Sequence, residues 1–169
     1  MDSKEKDQNP QAESVHILHA KGVLKVDEEL CAGCMQCMHT CSLVNFGVSS
    51  HELARIQMAA VTKYEFDAYA QPCLQCVDPL CLLNCPIDAI TVDEITGARV
   101  VNEDICDGCQ ICIQSCPYNP PRIRYDYLKE KASKCDLCNG EPSCVKACPT
   151  GALTYLTNPN GVITGYTQP

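Results

Sequence analysis

Three observations in this 169-residue chain predict a small α+β fold, with short strands and short helices wrapped around cysteine-held centres. Sixteen cysteines fall into four tight groups: Cys31, Cys34, Cys37 and Cys41; Cys73, Cys76, Cys81 and Cys85; Cys106, Cys109, Cys112 and Cys116; Cys135, Cys138, Cys144 and Cys148. The secondary-structure signals between the groups are short and local. There is no Trp, and Phe46 and Phe66 are the only phenylalanines, so the aromatic payload for a conventional core is thin. Bound centres then replace part of that core, and the chain without them is expected to be largely unfolded.

Taken in order, residues 1–20 read as a flexible, polar N-terminal arm. Val23–Val26 reads as a short strand leading into motif one. Arg55–Val61 reads as a strand within the 31 residues that join motifs one and two. Ala89–Val92 and Ala98–Val101 flank Asp93-Glu94-Ile95-Thr96-Gly97, a hairpin signal. One-turn helices are expected at Cys112–Cys116 and Cys144–Cys148. Pro117-Tyr118-Asn119-Pro120-Pro121 blocks regular structure after motif three. Leu153–Leu156 and Val162–Tyr166 flank Thr157-Asn158-Pro159-Asn160-Gly161 and read as a second hairpin. An internal repeat runs through this order. Residues 26–34 parallel 101–109, residues 81–90 parallel 144–153, and Pro79 and Pro142 occupy equivalent points. Gly33 and Gly108 are the residues expected to supply a positive φ or a close approach to a bound centre.

The cysteine spacing carries the chemistry. Motifs one and three read C-x2-C-x2-C-x3-C, motif two C-x2-C-x4-C-x3-C and motif four C-x2-C-x5-C-x3-C. Pro86, Pro117 and Pro149 follow the last cysteine of three motifs; Ser42 takes that place in motif one, whose exit path is expected to differ. This is the bacterial ferredoxin pattern, in which three closely spaced thiolates hold irons of one cubane and the fourth reaches a different cluster. Sixteen thiolates supply four [4Fe-4S] clusters with none left over, and a chain so rich in redox centres reads as an electron conduit. Zinc usually takes two separated C-x2-C pairs, so a third thiolate in the same loop disfavours it. Disulfides need an oxidising compartment, and the polar opening Met1–Asp7 has no apolar signal core, so a cytoplasmic location is expected.

Charge and motifs narrow the partners. The formal charge is −8, and four oxidised clusters at about −2 each would double it. That opposes nucleic acid and anionic membranes. No apolar run reaches the length of a membrane span. No phosphate-binding or nucleotide motif is present, and no catalytic set converges, so the chain reads as a carrier rather than an enzyme. His39, between Cys37 and Cys41, reads as a solvent-facing or hydrogen-bonding neighbour; His16, His19 and His51 have no constellation around them. Arg122 and Arg124 read as a solvated loop, and Tyr118, Tyr125 and Tyr127 as covers over a cluster. By spacing alone, motifs two and three pair inside motifs one and four, or one pairs with two and three with four.

The motif order over residues 22–156, with Cys116-Pro117-Tyr118 and Lys134-Cys135-Asp136-Leu137-Cys138, resembles the four-cluster iron-sulfur subunits of molybdenum and tungsten oxidoreductases. Those of dimethyl sulfoxide reductase, formate dehydrogenase and hydrogenases are examples. The resemblance implies nested pairing of two bacterial-ferredoxin-like modules. The outer would span residues 21–72 plus 128–169 and the inserted one residues 73–127. It implies ligand sets Cys31, Cys34, Cys37, Cys148; Cys135, Cys138, Cys144, Cys41; Cys73, Cys76, Cys81, Cys116; and Cys106, Cys109, Cys112, Cys85. Residues 41–47 and 53–56 are similar to the small ferredoxin-type subunits that accompany tungsten-dependent aldehyde oxidoreductases and benzoyl-CoA-reducing complexes. The implied role is an electron-transfer subunit beside a large tungsten- or molybdenum-pterin catalytic subunit, with a flavin subunit as a further partner. A free polyferredoxin, a self-associated wire and a zinc-binding interaction module are the competing readings.

Overall fold

The computed structural model describes residues 17–60 and 68–168. Among them, eight short strands form four separate antiparallel ribbons, and the helices sit where the cysteine motifs end. The fold is a small α+β one, as the short, interrupted signals imply. No helix of the described residues is long and apolar enough to cross a membrane.

The missing proline of motif one has a visible consequence. Helix α1 (Gln36–Phe46) runs on past Cys41 and stops at Gly47, whose φ of 72° forms a left-handed cap with its N–H donating to the Leu43 carbonyl at 2.9 Å. In the other motifs proline follows the last cysteine, and the helices are single turns: α2 (Leu80–Leu83), α3 (Ile111–Gln114) and α4 (Ser143–Lys146). The expected turns at motifs three and four are thus present one residue earlier; α2 and the length of α1 were not foreseen. The repeat reappears in the caps. Pro79 and Pro142 are the N-cap residues of α2 and α4, while Met35 and Gln110 cap α1 and α3 in the left-handed region.

Strand β1 (Gly22–Val26) forms where the Val-Leu-Lys-Val run predicts. Strand β2 (Gln57–Ala60) starts two residues later than expected and pairs with β3 (Ala68–Gln71); Val61 lies outside the described residues. The hairpin of β4 (Ile90–Val92) and β5 (Arg99–Val101) is closed by Asp93, whose carboxylate accepts the Thr96 N–H at 2.7 Å and its hydroxyl at 2.6 Å. Those bonds hold the Asp93 carboxyl below its ordinary range. Beyond the proline-rich loop, β6 (Arg124–Asp126) and β7 (Lys131–Ser133) make a hairpin that the sequence did not announce, turned by Asp126, which accepts the Leu128 and Lys129 N–H groups.

One expectation is corrected. The last strand, β8 (Leu153–Thr157), pairs with β1 in the register Gly22 opposite Thr157 to Val26 opposite Leu153, and residues 162–166 form no strand. Burial decides this: Leu24 and Leu153 share one buried core. The tail instead bonds elsewhere. Val162 N–H donates to the Ala20 carbonyl at 2.7 Å, and the Thr164 and Tyr166 carbonyls accept the Val77 and Asp78 N–H groups at 3.1 and 3.0 Å. Ala20, inside the expected arm, is fully buried; residues 1–16 lie outside the described residues.

Two apolar cores result. One gathers Leu24, Cys37, Cys41, Ile56, Leu137 and Cys144, with Cys135 and Cys148 packed against it. The other gathers Ala89, Ile90, Cys106, Cys112 and Ile123, with Cys81 and Cys85 against it. Correspondingly, α1 packs on α4 and α2 on α3.

Candidate metal centres

Motif loops and helix packing bring the cysteines into sets drawn from different motifs. One cavity is lined by Cys73, Cys76, Cys81 and, from motif three, Cys116. A second is lined by Cys135, Cys138, Cys144 and, from motif one, Cys41. A third is lined by Cys106, Cys109, Cys112 and, from motif two, Cys85. Cys31 and Cys34 lie within electrostatic reach of Cys37. Cys148 follows α4, packed against the core that holds Cys37. The sets also lie within electrostatic reach of one another: Cys37 acts on Cys144, Cys73 on Cys135, and Cys81 on Cys112.

This donor arrangement fits cubanes. Each iron of a cubane takes a sulfur at its own corner, so ligands surround a volume. Among the described residues, no three His, Cys, Asp or Glu side chains converge as they would on a single ion. The fourth cysteine of each motif also receives backbone N–H groups from the chain that turns back after it. Arg55, Ala89 and Arg122 donate to the sulfurs of Cys41, Cys85 and Cys116, each at 3.3 Å. At Cys148, burial is outweighed by the N–H groups of Leu153, Thr150 and Ala152 and the Thr150 hydroxyl, and the thiol is held below its ordinary value. Such bonds favour sulfur-borne negative charge.

Burial dominates at the third cysteine of each motif. It pushes the thiols of Cys37 and Cys81 up to about 11. Burial together with neighbouring cysteines takes Cys112 and Cys144 to about 12. Thiols so raised would have to ionise to bind iron, and metal loading would release their protons.

Residues around the centres differ in part from the sequence reading. Tyr118 lines the first cavity and bonds Cys76, and burial pushes its hydroxyl up to about 12. Tyr127 covers no centre; it is 80% exposed, its ring edge-on to Tyr125 at 4.9 Å. Arg122 is no solvated loop residue: it lines the first cavity, and its guanidinium stands 5.5 Å from the Tyr118 ring centroid. His51 does have a partner, since its Nε2 lies 2.9 Å from Nε2 of His39, whose Nδ1 meets the Ser49 hydroxyl at 2.7 Å. Sequence reasoning passed over Arg99, fully buried beside the first cavity, and Lys134. The position of Lys134 directly before Cys135 was the one local signal.

Comparison with known proteins agrees with this chemistry. Residues 63–158 match the family of the 4Fe-4S dicluster domain, and residues 28–47 match a 4Fe-4S binding domain. The chain is 37% identical over 115 residues to "Protein NrfC homolog" of Haemophilus influenzae, covering 65% of this chain and 50% of that protein. It is 40% identical over 100 residues to "Aliphatic sulfonate oxidoreductase, polyferredoxin-like subunit" of Pyrococcus furiosus, covering 58% of this chain and 56% of that protein. It thus spans about half the length of these curated relatives. A solved structure of "Active site complex BamBC of Benzoyl Coenzyme A reductase in complex with Benzoyl-CoA" is similar at a TM-score of 0.46 and 20% identity, covering 81% of this chain and 80% of that one.

Proposed function

The chain belongs to the 4Fe-4S dicluster domain family, and on that premise we infer that it is the electron-transfer iron-sulfur subunit of an oxidoreductase complex. It relays single electrons through four [4Fe-4S] clusters between a catalytic subunit, of the tungsten- or molybdenum-pterin type, and an acceptor or flavin subunit. The observation that carries this reading is the assembly of cysteines from different motifs around shared cavities. The ligand sets are the four that exchange their last cysteine within the pairs one–four and two–three. The two cores and the α1–α4 and α2–α3 contacts support the nested division into residues 21–72 plus 128–169 and residues 73–127. The electrostatic reach between sets supports a linear order: the Cys31 set, the Cys135 set, the Cys73 set, then the Cys106 set.

The clusters supply the one-electron chemistry, and the polypeptide fixes their order, shields them and sets their surroundings. A subunit, rather than a free carrier, is favoured by exposed apolar side chains at both ends of that order. Leu43 and Val44 stand out on α1, and Leu83, Ile105 and Ile111 in motifs two and three. The Pyrococcus furiosus relative is itself named as a subunit.

The test is iron and acid-labile sulfide per chain in protein purified without oxygen, with the metals of any co-purifying large subunit measured alongside. About sixteen of each is expected, with tungsten or molybdenum in the partner. Zinc without sulfide would replace the relay with a structural metal scaffold.

A further inference from the structure

The three cavities differ in charge. Arg99, Arg122 and Lys134 all line the cavity of Cys73, Cys76, Cys81 and Cys116. Among the described residues none of the three pairs with a carboxylate. Arg99 is fully buried; its Nη1 donates to the Gly97 carbonyl at 2.7 Å, while Nε and Nη2 have no partner. The buried Nε of Arg122 likewise has none. Lys134, 3% exposed, donates to the Arg99 carbonyl at 2.6 Å, and buried Gln75 ties it to the Arg99 N–H. The cavity of Cys41, Cys135, Cys138 and Cys144 has one cation, Arg55, and Asp136 on the same wall neutralises it at 2.5 Å. The cavity of Cys85, Cys106, Cys109 and Cys112 has Asp107 and no cation in its lining; Lys131 lies outside it, bonded to the Cys106 carbonyl.

A buried guanidinium with two idle N–H groups is costly unless a negative partner meets it. Sulfur atoms in that cavity would provide one. One-electron reduction adds a negative charge to a cluster, and an electron arriving from the partner subunit is stabilised most where unneutralised cations stand in a low-dielectric wall. We propose that Arg99, Arg122 and Lys134 make the Cys73/Cys76/Cys81/Cys116 centre the most readily reduced of these three, with the Cys41 centre next and the Cys85 centre last. This rests on the relay reading above. Electrons delivered from either end then collect at an interior site.

The test is a redox titration of the four-cluster protein followed by electron paramagnetic resonance, on wild type, Arg122→Gln, Lys134→Met and Arg122→Lys. Both neutral variants are expected to lower one and the same midpoint, the highest of the three, by at least a tenfold change in the reduced-to-oxidised ratio, which is 59 mV for one electron. In Arg122→Gln the other midpoints should stay in place; in Lys134→Met the Cys41 centre, whose Cys135 adjoins Lys134, should shift less than the first. Arg122→Lys should restore the midpoint that Arg122→Gln shifts. Arg122 is half-buried, so its variants test the idea even where replacing Arg99 prevents folding. A shift in the lowest midpoint, equal shifts in all, or none, with full iron and sulfide, overturns the assignment. Zinc and no sulfide in the wild type sinks the relay reading itself.

Discussion

Gly108, between the candidate ligands Cys106 and Cys109, shows how little freedom a residue in a motif loop has. Its φ is +77°, and a Cβ there would stand 2.1 Å from the Glu130 carbonyl oxygen. The expected close approach is therefore made to backbone of the β6–β7 turn. Gly108→Ala should cost about 2–3 kcal/mol, the sum of left-handed strain and the displaced turn. Denaturant unfolding followed by cluster absorbance reads this directly, and an unchanged midpoint would mean that the turn yields freely. At the same scale, residue identity made the sixteen candidate ligands visible, because thiolate spacing is a local code. Arg99, Arg122 and Lys134 were not legible as a group. They come from a strand, a loop and the edge of a motif, and only folding brings them to one cavity.

At the scale of elements, local turn chemistry was readable and long-range pairing was not. The β4–β5 hairpin follows from Asp93, Thr96 and Gly97 within five residues. The partner of β8 is set instead by which apolar residues share a core, so β1, from the far end of the chain, displaced the nearer segment 162–166. Helix α1 was missed because the motif pattern carries no signal for its length; the decisive residue is Ser42. Its hydroxyl donates to the His39 carbonyl at 3.0 Å and accepts the Ser50 N–H at 2.8 Å, pinning the chain after the helix. Ser42→Pro would give motif one the Cys-Pro ending of the other three. It should nevertheless destabilise the protein by about 3 kcal/mol or more, because the proline falls inside α1 and removes both Ser42 bonds. Circular dichroism and thermal unfolding of the loaded protein check this, and a neutral result would show that the helix past Cys41 contributes nothing.

For the whole molecule, the distribution of buried groups argues that metal and fold are one equilibrium. Both cores count cysteines among their buried members: Cys37, Cys41 and Cys144 in one, Cys106 and Cys112 in the other. The ribbons are two-stranded and short, a size marginal on its own in water. Each cavity also joins distant segments, as Cys41 joins Cys135–Cys144. Removing iron would therefore cut cross-links and leave Arg99 and Lys134 buried without their negative partners. Anaerobic chelation of the loaded protein should abolish protection of backbone amides in β1, β8 and the β4–β5 hairpin alike, and not only in the motif loops. Hydrogen exchange resolves the two outcomes. Survival of ribbon protection after iron loss would mean that the small apolar cores hold the fold unaided, and that the clusters are guests in a framework that forms without them.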